Sequence, residues 1–125
     1  MTIQHAMDMA DQLKPNYMER GTKVAFLQEL DQLIYNEILL KHEHTQEEEV
    51  PPEYSGDRTG ETVLLVPEPY SMVYIYWLMS KIDLMNQELD KYNNDRALFE
   101  NAYDTMSDWW TRTRMPVTTN PWFVV

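Results

Sequence analysis

Apolar residues return every three or four positions through most of this chain, and the interruptions mark off its elements. Ile3, Ala6, Met7, Ala10 and Leu13 keep helical spacing behind Thr2, whose hydroxyl suits an N-cap, and Pro15 ends the pattern. This predicts a helix over about 2–14. From Thr22 the segment KVAFLQELDQLIYNEILLKHEH carries Phe26, Leu27, Leu30, Leu33, Ile34 and Ile38 in a wide stripe suited to burial, so a long helix is expected over about 22–43, with Gly21 marking the turn before it.

A second long stripe begins after two prolines. In VPEPYSMVYIYWLMSKID, Glu68 suits a cap and Pro69 a first helical position, where a missing N–H costs nothing. Ile75, Leu78, Ile82, Met85, Leu89 and Tyr92 then step by three and four. The same phase runs on through Phe99, Tyr103, Met106 and Trp110, with only Arg96 out of character. Asn93 and Asn94 can close one helix and cap the next, giving helices over about 69–92 and 94–114; a single long helix with a local kink fits the unbroken phase equally well.

Between the two stripes, residues 44–68 contain Pro51, Pro52, Gly56, Gly60 and Pro67 in a polar background that does not sustain a helix. Within this loop TVLLV, residues 62–66, is short, β-branched and bounded by Gly60 and Pro67, as expected of one strand or a hairpin arm. Loops of this length are commonly binding elements. Pro116 stops the last helix and leaves an extended tail over 115–125 that includes Trp122, Phe123, Val124 and Val125. Such an apolar cluster either folds back or docks elsewhere. The expected architecture is a single all-α domain over 1–125, a small bundle of three to four helices with one long acidic loop.

Charge changes this picture by polarising it. The net charge of −11 is concentrated in residues 43–68, where eight acidic side chains face Arg58 alone, whereas no acid follows Asp108 and Arg112 and Arg114 do. That balance opposes direct binding to nucleic-acid phosphates, which depends on Lys and Arg. The longest apolar run, residues 72–79, falls well short of the roughly 20 residues a membrane helix needs, so no membrane partner is expected. The first residues lack the basic and apolar regions of a secretory signal.

Chemistry-bearing patterns are sparse. With no cysteine there is no disulfide framework, thiolate metal site or Cys nucleophile. His42, Glu43 and His44 beside Glu47, Glu48 and Glu49 hold metal-ligating atoms, but residues two apart on a helix diverge, so a solvated helix end is the expected reading and no metal or other cofactor is assigned. The four serines lie in no nucleophile-elbow context, and three glycines make no phosphate loop, so no catalytic residue is assigned and the chain is not expected to be an enzyme. Asp83, Asp90, Asp95 and Asp104, with Glu88 and Glu100, are expected on the wet face of the C-terminal helices. Met72, Met79, Met85 and Met106 are expected as core filler. Adjacent Trp109 and Trp110 cannot face one neighbour on a helix, so at least one is expected to meet the tail or another chain.

KVAFLQELDQLIYNEIL, ETVLLVPEPYSMVYIYWL, IDLMNQELDKYNNDRALFENAY and the Arg-Thr-Arg-Met-Pro run resemble the small head-to-tail connector, or adaptor, proteins of long-tailed bacteriophages and prophages, particularly of Gram-positive hosts. The resemblance covers residues 16–115 as an order of short patterns. It implies a compact all-helical virion subunit, present in the host cytoplasm during assembly, that forms a ring between the portal protein and the stopper or tail-completion proteins without catalysis. The tail over 118–125 and the acids Glu47 to Glu49 follow no pattern of that family.

The interface candidates come from this sequence itself. Glu47, Glu48 and Glu49 at an acidic excursion, and Arg112 and Arg114 at a basic end, would let neighbouring copies meet head to tail, the contact that closes rings. Trp109, Trp110, Trp122 and Phe123 would supply apolar surface between them. Two other readings are a helical regulatory or adaptor dimer and an acidic mimic of DNA. Crowding of the charge into one Pro/Gly-rich segment argues against the mimic.

Overall fold

A computed structural model of the chain describes residues 1–44, 49–54 and 59–115. The fold is all-α, with four helices among the described residues: α1 (Ile3–Leu13), α2 (Arg20–Glu37), α3 (Met72–Met85) and α4 (Leu89–Thr113). Short 3-10 turns occupy Leu39–Lys41 and Thr59–Glu61.

The first helix forms as its pattern dictates. Thr2 Oγ1 accepts from His5 N at 3.1 Å, and Lys14 N closes the last turn on Ala10 O at 2.8 Å. Ile3, Ala6, Met7 and Ala10 are buried, and the two alanines are small enough to bring α1 close against α3. The helix α3 is central. It touches α1, α2 and α4, and Val73, Tyr74, Ile75, Trp77, Leu78, Met79 and Ile82 are all buried, so little of its circumference meets water. The aromatic load of this segment is thereby largely absorbed within one chain. Trp77 donates from Nε1 to Phe26 O at 2.9 Å and packs on Phe99 with ring centroids 5.0 Å apart. Arg96, the one residue out of character in the α4 stripe, lies 5.1 Å from the Phe99 ring and 5.7 Å from the Trp77 ring, where its charge faces their π systems.

Several expected boundaries move. The helix expected over 22–43 starts at Arg20, includes Gly21 in its first turn, and stops at Glu37. Its continuation tightens into the 3-10 turn, which buries Leu39 while leaving Leu40 outside, and His42 Nδ1 lies 2.8 Å from Ile38 O at the helix end. Pro69 does not open α3: Tyr70 N bonds to Pro67 O at 3.0 Å in a turn that contains the cis Glu68–Pro69 peptide, and the N-cap position falls to Ser71.

The junction between the last two helices lies at Asn86–Glu88, and Asn93 and Asn94 are internal to α4. Gln87 takes a positive φ of 59°, which lets Gln87 N reach Leu84 O at 3.2 Å and Glu88 N reach Asp83 O at 2.9 Å. Glycine or asparagine usually takes such a left-handed closing position, so glutamine gave no signal there. Neither a break at Asn93 nor one continuous helix is correct.

The expected strand at 62–66 is a single antiparallel bridge between Thr2 and Val63, flanked by Ile3 N to Thr62 O and Leu64 N to Met1 O, each 2.9 Å.

Candidate functional site

Two buried polar clusters hold the bundle. In the first, Asp31 on α2 is fully buried: Oδ1 accepts from the Tyr74 hydroxyl at 2.6 Å, and Oδ2 accepts from the Tyr54 hydroxyl and from Leu65 N at 3.3 Å. The Tyr74 hydroxyl in turn accepts from Val66 N at 2.7 Å. Burial raises the Asp31 pKa, and the three donated bonds oppose that rise. Burial and the adjacent Asp31 carboxylate push both phenols well above their ordinary range. This cluster fastens the stretches around Tyr54 and Val66 to α2 and α3.

The second cluster corrects the expected wet face. Asp83 on α3 is 0% exposed and Asp95 on α4 is buried. Lys14, just past α1, places Nζ 3.0 Å from Asp83 Oδ1 and 3.1 Å from Asp95 Oδ2. Lys14 is the cation that faces both buried carboxylates, so one positive charge stands against two acids. Burial, then contact with Asp95, raises the Asp83 pKa to about 6 against the opposing pull of Lys14. Desolvation lowers the Lys14 pKa, but bonding to the two carboxylates outweighs it and the net shift is upward. The two acids are buried because α1 delivers a cation to the α3–α4 junction.

That junction supports an apolar end. Tyr17 is 100% exposed, Leu89 64% and Leu13 55%, and Leu84 and Met85 are exposed as well. Met18, Phe26, Leu84 and Met85 line a depression of about 320 Å³ between the start of α2 and the end of α3. These residues come from the α1–α2 connection and the α3–α4 turn, which the Lys14 cluster draws together.

At the opposite end of α4 the interface candidates divide. Trp110 is 1% exposed, its Nε1 donating to Glu49 Oε2 at 2.9 Å, and Arg114 donates to the same oxygen at 2.7 Å. The Arg114 guanidinium also lies 5.1 Å and 5.4 Å from the Trp109 and Trp110 rings. Glu49, Trp110 and Arg114 thus meet inside one chain, and Trp110 corrects the expectation of an inter-subunit indole because it is already buried within one chain, against Glu49 and Arg114. Trp109 is half-buried and stacks on Tyr70, centroids 4.9 Å apart and planes 26° from parallel. Arg112 is exposed, with Nε donating to Asp108 O at 3.2 Å. Glu47, Glu48, Trp122 and Phe123 lie outside the described residues.

Two further depressions run along α4 and share Thr105. One, of about 320 Å³, has Tyr70, Met72, Tyr76, Leu98 and Ala102 in its wall. The other, of about 370 Å³, is bounded by Thr105, Asp108, Thr111 and Arg112. Apolar side chains dominate the first, and the second lies among residues with polar side-chain ends.

Among the described residues no group of three His, Asp or Glu side chains is placed to hold a metal, and His42 and His44 turn their Nδ1 atoms to backbone carbonyls 2.8 and 2.9 Å away. Also among them, no helix is long and apolar enough to cross a membrane. No protein-family model, curated protein or solved structure matches this chain. The buried acids and the apolar end were missed from sequence because Asp83, Tyr17 and Leu89 acquire these roles only when two connections converge in space; the early Lys14 was the one available signal.

Proposed function

We propose that this chain is a non-catalytic virion assembly subunit, a head-to-tail connector that joins a ring between the portal protein and the stopper or tail-completion proteins. One observation carries the proposal: the exposed apolar end formed by Leu13, Tyr17, Leu84, Met85 and Leu89. Exposed apolar side chains on two connections that one ion-pair cluster holds together suit an interaction surface. Its two contributing connections are tied through Lys14 to Asp83 and Asp95, so docking there needs little further ordering of backbone. Tyr17, with its full ring and hydroxyl outside, has the amphipathic character enriched at interface centres. The resemblance over residues 16–115 supplies the identity of the partner.

Electron microscopy of the purified protein mixed with the portal protein of the same phage or prophage tests the proposal. A ring of added density at one face of the portal is the expected result; a bare portal at saturating subunit concentration rejects it.

A further inference from the structure

Little apolar burial holds the turn between α3 and α4. Residues 84–87 and 89 are exposed, and Gln87 has a φ of 59°, a region that residues with a side chain enter reluctantly. Three amides close the turn: Asn86 N donates to Ile82 O at 2.9 Å, Gln87 N to Leu84 O at 3.2 Å and Glu88 N to Asp83 O at 2.9 Å. The last bond is accepted by the backbone of Asp83, whose carboxylate belongs to the buried cluster. A turn with so few packed side chains can open while the helices around it stay folded.

The charged groups that face Asp83 are Lys14 from the end of α1, at 3.0 Å, and Asp95 from α4, which the same ammonium meets at 3.1 Å. Charges on the neighbouring stretches pair elsewhere: Lys23 of α2 with Asp11 of α1 at 2.7 Å, Glu88 with Lys91 at 3.1 Å, and Lys81 with Glu29 at 3.9 Å. With a proton on Asp83, Lys14 and Asp95 remain as a one-to-one pair. Without it, two buried carboxylates share a single cation, an arrangement that like charges resist out of water. Burial and then Asp95 accordingly hold the Asp83 carboxyl up at about 6.

We propose that Lys14, Asp83 and Asp95 form a proton-operated clasp on the α3–α4 turn: a proton on Asp83 closes it, and loss of that proton lets residues 84–89 open while the bundle stays folded. Opening brings water to the surplus carboxylate and relaxes Gln87. Leu84, Met85 and Leu89 lie in the segment that opens, so proton uptake fixes the apolar side chains that this end presents. The clasp joins parts of one chain, and the inference stands without the connector proposal.

Native-state amide exchange of the full chain at pH 5 and pH 7.5 tests this, with each rate corrected for the intrinsic pH dependence of its amide. A low-urea series separates local opening, which urea leaves unchanged, from global unfolding, which it promotes. The reporters are the Gln87 and Glu88 amides. In the parent chain their exchange is expected to be insensitive to low urea at pH 7.5. Their protection should be about 10-fold greater at pH 5, the factor given by a carboxyl whose pKa moves between 3.8 and about 6. Asp83→Asn is expected to abolish that difference, and Asp95→Asn to shrink it by leaving the ammonium a single acid. Equal protection of the parent turn at the two pH values overturns the inference, as does an undiminished difference in Asp83→Asn. Exchange of the turn amides that rises with urea as steeply as that of the core amides also overturns it, because the turn would then open only with the whole fold.

Discussion

Lys14 Nζ sits 3.0 Å from Asp83 and 3.1 Å from Asp95, so one ammonium at the end of α1 answers two carboxylates buried between α3 and α4. With both acids ionised the cluster carries one uncompensated negative charge in the interior, and protonation of Asp83 removes it. The folded pKa of Asp83, about 6, lies above its ordinary value of 3.8. Its contribution to stability is therefore fully present below about 4 and is lost as pH rises through about 6. The size is on the order of 3 kcal/mol. Asp83→Asn is expected to flatten the rise in midpoint denaturant concentration that the parent protein shows between pH 7 and pH 4.5. At pH 7 the variant should match or exceed the parent, because a neutral amide replaces the surplus charge. An unchanged pH slope in the variant would contradict this account of the cluster.

Removing the cation should have the opposite effect. Lys14→Met leaves Asp83 and Asp95 buried beside each other without a counter-ion, a change expected to cost about 3–5 kcal/mol at pH 7. Much of that loss should return at pH 4.5 as the carboxylates take up protons. Chemical denaturation at the two pH values measures both parts.

The Asp31 cluster makes a separate prediction. Tyr74→Phe removes a donor to Asp31 Oδ1 and the acceptor for Val66 N, leaving two buried groups short of a partner. A loss of about 1–3 kcal/mol is expected. Tyr54→Phe removes one donor to Asp31 from a less buried position and should cost less. Its larger effect should be local, as faster amide exchange at Leu65 and Val66 in the Tyr74 variant and around residues 51–54 in the Tyr54 variant.

How much of this was legible in the sequence differs from residue to residue. Helical periodicity located α1 and the body of α2, because Thr2, Pro15 and the Leu27–Leu30–Ile34 stripe act locally and the structure keeps them. The α3–α4 break was not legible, since Gln87 adopts a left-handed conformation without being the residue type that advertises one. Asp83 and Asp95 occupy helical positions that resemble a solvated face, and only the distant Lys14 makes them interior. Trp110 and Glu49 are 61 positions apart in the chain, so their hydrogen bond left no short-range trace. Patterns within a turn or two survive into the fold; pairings between connections do not announce themselves.

The two adjacent tryptophans should separate in experiment as they do in space. Trp110→Ala opens a cavity in a fully packed position and removes the indole N–H donated to Glu49, and a loss of about 3–5 kcal/mol is expected. Trp109→Ala removes a half-buried ring stacked on Tyr70 and should cost about 1 kcal/mol. Thermal or urea unfolding of the two variants checks the ranking, and equal losses would contradict the assignment of Trp110 to the interior.

The assembly proposal concentrates on the apolar end, where Tyr17 and Leu89 are exposed. Surface changes there should leave folding within about 0.5 kcal/mol of the parent. Sedimentation velocity of the portal protein mixed with the parent chain, or with a Tyr17→Asp and Leu89→Asp double variant, is the most direct test. The parent is expected to shift the portal to a larger complex and the equally stable double variant to leave it unshifted. A portal that ignores the parent chain, or that binds both proteins alike, would contradict the claim that this end carries assembly.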